Sequence, residues 1–197
     1  MSGDCKRFNV VFVLGAPGCG KGTQCERISD KFKYVHLSAG QLLRDEQARK
    51  GSKFGDIIDG HIRNGTIVPV EITCSLLEQA MQSQPMAPGF LVDGFPRNED
   101  NYSGWCRQMG QKVNLQFVLF IECPEEVCLS RCLNRGEGRT DDNEEAFKKR
   151  IQTYNNHTMP IVKLYDRDNL VRKVDGTRPA DEVFAEISRA FEAVQPK

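Results

Sequence analysis

The sequence predicts an α/β fold, a parallel sheet flanked by helices on both faces. Three observations carry this expectation. Short, continuous apolar runs recur along the chain, as strands buried on both faces require. Stretches with helical spacing separate them. The first apolar run leads straight into a glycine-rich turn with a lysine, the layout of strand, phosphate cradle and helix. At 197 residues a single domain spanning 1–197 is expected, with small insertions.

The elements follow in chain order. Residues 10–14, VVFVL, form the first strand and GAPGCGKGT the turn after it. The spacing Gly15-x4-Gly20-Lys21 is that of a P-loop. Such a turn needs glycines because its backbone N–H groups point inward at phosphate oxygens, and a Cβ at Gly15, Gly18 or Gly20 blocks that approach or forbids the conformation. Lys21 adds a point charge, and the helix at 20–31 adds the partial positive charge of its N-terminus. One position departs from the common motif: Gly22 follows the lysine, and the hydroxyl comes at Thr23.

A short strand is expected at 34–37. Residues 38–68 are too polar for the core and carry glycine-punctuated helical pieces, so they form an insertion beside the phosphate site. A helix follows at 72–81. The strand at 89–92 ends in Asp93-Gly94-Phe95-Pro96-Arg97. An acid at that strand's C-terminal end can hold Mg²⁺, here through water, together with Thr23. Helices are expected at 99–109, 124–134, 143–166 and 180–194, with Pro124 and Pro179 at helix starts, and strands at 117–121 and 170–174. Between Asn134 and Asp142 lies a short glycine-bearing loop, NRGEGRTDD, suited to a small lid.

Six arginines need a role: Arg44, Arg97, Arg131, Arg135, Arg139 and Arg150. Phosphoryl transfer needs charge neutralisation and alignment rather than covalent help. Arginine suits it because its planar fork binds phosphate oxygens bidentately. Any one of these arginines taken alone is equally compatible with a solvated helix face.

Composition excludes several classes. Hydrophobic residues make up 39% and charged residues 27%, with a formal net charge of +0. That balance points to no nucleic-acid or membrane partner. No apolar run reaches about 18 residues, and the first ten residues, MSGDCKRFNV, lack a signal peptide's apolar core. A reducing compartment, cytoplasmic and also nuclear, is the expectation. The eight cysteines contain no C-x2-C pair, so free thiols are expected rather than disulfides or zinc. Cys128 and Cys132 share a helix face and look like small core residues.

Motifs along nearly the whole chain resemble the nucleoside monophosphate kinases of the adenylate kinase superfamily, and within them the UMP-CMP kinase branch. GAPGCGKGTQ, HLSAGQLLRDE, NGTIVPVEIT, LVDGFPRNEDN, NRGEGRTDDN and KKRIQTY carry the likeness. In that family a glycine regularly follows the P-loop lysine, as Gly22 does here. The resemblance implies a P-loop NTPase-type core with an inserted monophosphate-binding segment at 38–68 and a short lid at 134–142. It implies that Gly18, Cys19, Gly20, Lys21, Gly22 and Thr23 cradle ATP phosphates. It implies that Arg131 lies over the adenine, that Arg135 serves the ATP side, and that Arg178 offers backbone to the adenine. Arg44, Arg97, Arg139 and Arg150 resemble the arginines on the monophosphate and the transferred phosphoryl. Gly94, Phe95 and Pro96 belong to the same acceptor turn. Thr66, Ile67 and Val68 resemble the strip beside the acceptor base. Ala39 and Asn101 stand where adenylate kinases usually have Thr and Gln, and match the pyrimidine branch. An amide at Asn101 can bond a pyrimidine's polar edge as donor and acceptor.

The implied reaction moves a phosphoryl group from Mg-ATP to UMP, CMP or dCMP, by a monomer. The nearest alternative is an adenylate kinase acting on AMP. A GTPase-like switch needs a hydroxyl directly after Lys21 and an N-K-x-D segment, and the chain has neither. An interaction module with a disused P-loop fits poorly with the retained Lys21, Asp93 and six arginines.

Overall fold

The expected apolar runs pair as parallel strands. The computed structural model describes residues 7–64, 66–134 and 143–194. The strands are β1 (Phe8–Leu14), β2 (Val35–Ser38), β3 (Phe90–Asp93), β4 (Val113–Glu122) and β5 (Val171–Asp175). They form one sheet in the order β2-β3-β1-β4-β5, with every pairing parallel. Parallel neighbours need crossovers, and helices supply them. These are α1 (Lys21–Phe32), α2 (Ala39–Ala48), α3 (Gly55–Asn64), α4 (Val70–Gln82), α5 (Glu99–Met109), α6 (Glu125–Leu133), α7 (Glu144–Thr153), α8 (Met159–Arg167) and α9 (Ala180–Glu192).

The alternation along β1 divides the core. Val10, Phe12 and Leu14 join Leu77, Trp105, Met109 and Tyr165 on the face of α4, α5 and α8. Val11 and Val13 join Ile28, Cys128, Phe147, Ile187 and Phe191 on the face of α1, α6, α7 and α9. Successive side chains of a strand point to opposite faces, so a central strand needs apolar residues at every position. Full burial of one such side chain contributes about 1.5–3 kcal/mol.

Two expectations are corrected. The helix foreseen at 143–166 is broken: α7 and α8 are joined by a π-helical turn, Tyr154–Thr158. Pro160, in the first turn of α8, has no N–H and cannot continue the α ladder, so the wider turn absorbs the missing bond. The strand foreseen at 117–121 begins earlier, at Val113, and carries a register shift between Val10 and Val11 of its partner. As expected of small core residues, Cys128 and Cys132 are buried.

The insertion at 38–68 folds as α2 and α3 and has its own small core. Ile58, Val68 and Ile72 are buried there against Leu43, Phe54 and Leu76. Ser38 caps α2 by accepting a hydrogen bond from the Gln41 N–H at 3.3 Å. The loop expected to form a lid lies, apart from Asn134, outside the described residues.

Candidate active site

The phosphate loop is built where β1 meets α1. Gly20 is the N-cap of α1 and is left-handed at φ 101°, a conformation that favours glycine. A Cβ there meets nothing within 4 Å, so backbone conformation, not crowding, selects glycine. At Gly18 crowding also acts: a Cβ would sit 2.3 Å from the Cys128 carbonyl oxygen of α6. The Lys21 ammonium donates to the carbonyls of Gly15 and Ala16, each at 2.8 Å, and lies 3.6 Å from Cys19 Sγ. Cys19 itself is buried, which leaves its backbone as the part able to meet a ligand. Gly22 and Thr23 occupy the first turn of α1, with Thr23 exposed.

Asp93 ends β3 beside this loop. Burial pushes its carboxyl up, but the contact with His36 and the charges of Lys21 and Arg97 outweigh that and hold it below its ordinary value. It is therefore a carboxylate near neutral pH. Its Oδ1 is shut off from solvent and has no hydrogen-bond partner among the described residues. A hard, charged oxygen of this kind fits Mg²⁺ held through water.

The acceptor side follows directly. The Gly94 N–H donates to the Val13 carbonyl at 3.1 Å, tying the turn to β1. The Phe95–Pro96 peptide is cis. Phe95 packs against Phe12 and Trp105, so its side chain serves the core and only its backbone faces the turn. Arg97 Nε donates to the Gly94 carbonyl at 2.8 Å. A Cβ on Gly40 would lie 3.5 Å from Arg44 Nη1 and 3.7 Å from Arg97 Nη2. Two guanidiniums flanking one small space favour an anion between them. Arg44 is further oriented by Gln41 Oε1, which accepts from its Nη2 at 2.9 Å.

Beside these arginines opens a cleft of about 410 Å³, lined by Ile67, Val68, Asn98 and Asn101 among others. Asn101 is buried. Its Oδ1 accepts from the Arg97 N–H at 3.2 Å, which fixes the amide's orientation and leaves its NH₂ and one oxygen lone pair for a ligand. Ala39, small and buried, starts α2. Thr66 does not line this cleft; its hydroxyl lies 2.8 Å from His61 Nδ1.

On the opposite flank Arg131 Nη1 donates to the Gly176 carbonyl at 2.8 Å. Gly176 packs on the phosphate loop, since its Cβ would lie 3.1 Å from the Cys19 carbonyl oxygen. Arg178 pairs with Glu186 and lies 3.9 Å from Asp175. That geometry directs its side chain along α9. Arg150 sits in the last turn of α7. Arg135 and Arg139 lie outside the described residues.

Sequence reasoning missed His36, Thr158 and Arg107. His36 Nε2 lies 3.5 Å from Asp93 Oδ2. Thr158, inside the π turn, donates to the Arg97 carbonyl at 2.9 Å and so braces the acceptor turn across 61 residues of chain. Arg107 lines the cleft from α5. His36 opens the HLSAGQLLRDE motif, but no local pattern gives it a role, and none marks Thr158 or Arg107, because each meets the site only across elements.

Comparison with known proteins agrees with this architecture. The family model described as adenylate kinase matches residues 13–170. The chain is 59% identical over 189 residues to UMP-CMP kinase 2 of Caenorhabditis elegans, covering 96% of this chain and 99% of that protein. It is 54% identical over 190 residues to the UMP-CMP kinase of Gallus gallus, covering 93% and 96%. With the phosphate loop, the acceptor turn and the parallel core all in place, the chain belongs to the adenylate kinase family.

Proposed function

We propose that this protein transfers the γ-phosphoryl group of Mg-ATP to UMP or CMP, and to dCMP, giving the diphosphate and ADP. The observation that carries the reading is the Asn101 amide, buried and oriented in a cleft beside Arg97. In the reaction an acceptor phosphate oxygen attacks the γ-phosphorus while the bond to the β–γ bridging oxygen breaks. Lys21 and Arg97, with Arg150 and the lid arginines Arg135 and Arg139, neutralise charge on the transferring group. Mg²⁺, when bound, neutralises phosphate charge; Asp93 and Thr23 would hold it through water. Arg44 and Arg97 hold the acceptor phosphate, and Arg131 braces the adenine side.

AMP is the alternative acceptor. Ala39 and Asn101 speak against it, as do the names of the similar proteins above. Rates with UMP, CMP, dCMP and AMP under saturating Mg-ATP decide between them. A kcat/KM for UMP or CMP above that for AMP is expected; the reverse ratio removes the pyrimidine assignment. We further propose that the protein works as a monomer in the cytoplasm and nucleus, without nucleic-acid or membrane partners. No helix among the described residues is long and apolar enough to cross a membrane.

A further inference from the structure

The end of β3 holds a second arrangement that nucleotide binding does not require. Cys25 on α1, His36 on β2 and Asp93 on β3 bring one sulfur, one nitrogen and one oxygen within 4.8 Å of one another. Among the described residues no other group of three His, Cys, Asp or Glu side chains does so. The fold makes this meeting unavoidable. Ser38 pairs in register with Asp93, and His36, two residues earlier, points to the same face. Leu91, two residues before Asp93, shares the core of α1 with Cys25 and Ile28. All three ligand atoms therefore face the gap between α1 and the sheet.

A second observation points to a ligand. His36 Nε2 and Asp93 Oδ1 are both closed to solvent and make no hydrogen bond among the described residues. Their side chains remain 23% and 14% exposed, so solvent still reaches part of each. The 3.5 Å between Nε2 and Oδ2 is too long for a good hydrogen bond. It does match the edge of a tetrahedron whose metal–ligand bonds are roughly 2.0–2.3 Å.

We propose that Cys25, His36 and Asp93 form a site for a zinc-class divalent cation, distinct from the Mg²⁺ that travels with ATP, and that an ion bound there inhibits the enzyme. The donor set selects the ion. Thiolate and imidazole suit Zn²⁺ over Mg²⁺, and three protein ligands leave the fourth position to water. Burial, reinforced by Asp93, keeps the Cys25 thiol protonated. Binding therefore replaces one S–H proton, released to solvent, with one metal–sulfur bond. The site gains a single net positive charge, which the like charge of Lys21 disfavours. Inhibition follows because Asp93 is then tied directly to that ion and withdrawn from the nucleotide's Mg²⁺. That last step rests on the kinase reading; the metal site does not.

The test uses full-length, nucleotide-free protein and Co²⁺ as the spectroscopic probe. Wild type should show a sulfur-to-cobalt charge-transfer band that saturates at one equivalent and is abolished by Zn²⁺. Cys25→Ser should lose the band, Cys123→Ser should keep it, and His36→Asn should weaken binding by at least the ~10–100-fold typical of a lost supporting contact. Should Cys25→Ser not fold by circular dichroism, the His36→Asn titration alone decides. A band that survives in Cys25→Ser, one unchanged in His36→Asn, or none in wild type overturns the site. In the coupled assay at fixed Mg-ATP, one equivalent of Zn²⁺ should slow wild type but not Cys25→Ser. Equal inhibition of both overturns the inhibitory role while the spectrum still reports the site.

Discussion

The phosphate loop and the acceptor insertion are neighbours built on opposite principles. The loop hangs from β1, whose residues Val10 to Val13 are completely buried, and it is wedged against α6 at Gly18. In the proposed reaction its binding groups are backbone N–H donors and one lysine. The insertion, α2 and α3, packs around a small cluster of its own, Ile58 and Val68 with Ile72 of α4, and in the proposed reaction it would act through side chains. A donor shared by every reaction cycle can be met by rigid backbone. An acceptor that must be enclosed needs an element able to move with little loss of packing.

The largest effect is expected at the loop. Lys21→Met should lower kcat by about 10²–10³, the scale of a lost oxyanion donor, while the melting temperature stays near wild type. Arg189→Ala, on the exposed face of α9, is the control and should be silent in the same coupled assay. Near-normal turnover of Lys21→Met would remove the loop from the mechanism.

Ile58→Ala should sharpen the contrast. Such truncations cost about 2–5 kcal/mol when buried. Here the loss should fall locally: faster amide exchange in α2 and α3 and a raised KM for the acceptor, with exchange in β1 and β4 unchanged. Uniform loss of protection across the sheet would show that the insertion is part of one cooperative core.

Asn101→Ala should cost about 1–3 kcal/mol in kcat/KM for UMP and CMP, with KM for ATP almost unmoved. Equal effects on both substrates would place the amide in general support of the Arg97 turn.

The smallest effect concerns Glu46, buried on α2. Ser52 Oγ donates to it at 2.6 Å and Arg49 Nη2 at 2.7 Å. The Ser52 bond, with help from Arg49, holds its carboxyl below the ordinary value against the opposing effect of burial. A depressed carboxyl stabilises the fold fully above its unfolded value and loses that contribution as pH falls through the folded one. Glu46→Gln should therefore cost about 1 kcal/mol at neutral pH. Melts taken down through the carboxylate range should converge with wild type. A constant difference at every pH would assign the effect to shape rather than charge.

Much of this molecule is written locally. The strands at 10–14, 89–92 and 117–121 are runs of apolar residues because the sheet is covered on both faces, and the glycine spacing marks the phosphate loop because its backbone must turn sharply. Lys21, Asp93 and Arg97 stood out as candidates for the same reason: each lies at or beyond the C-terminal end of a buried strand, where chemistry on an α/β sheet collects. The break at 154–158 was less legible, since helical periodicity continues through it and only Pro160 hints at the interruption.

By itself the sequence determined the class of fold and the glycine turn with Lys21 after the first strand, because periodicity and turn chemistry act over a few residues. Only the tertiary structure decided which groups meet. It set His36 against Asp93 and Cys25 through the register of β2 on β3. It braced Arg97 with Thr158 from a distant turn. It aimed the Asn101 amide with the Arg97 N–H and directed the Arg178 side chain toward Glu186. These are contacts between residues far apart in the chain, and no local pattern encodes a distance that exists only once the sheet has closed.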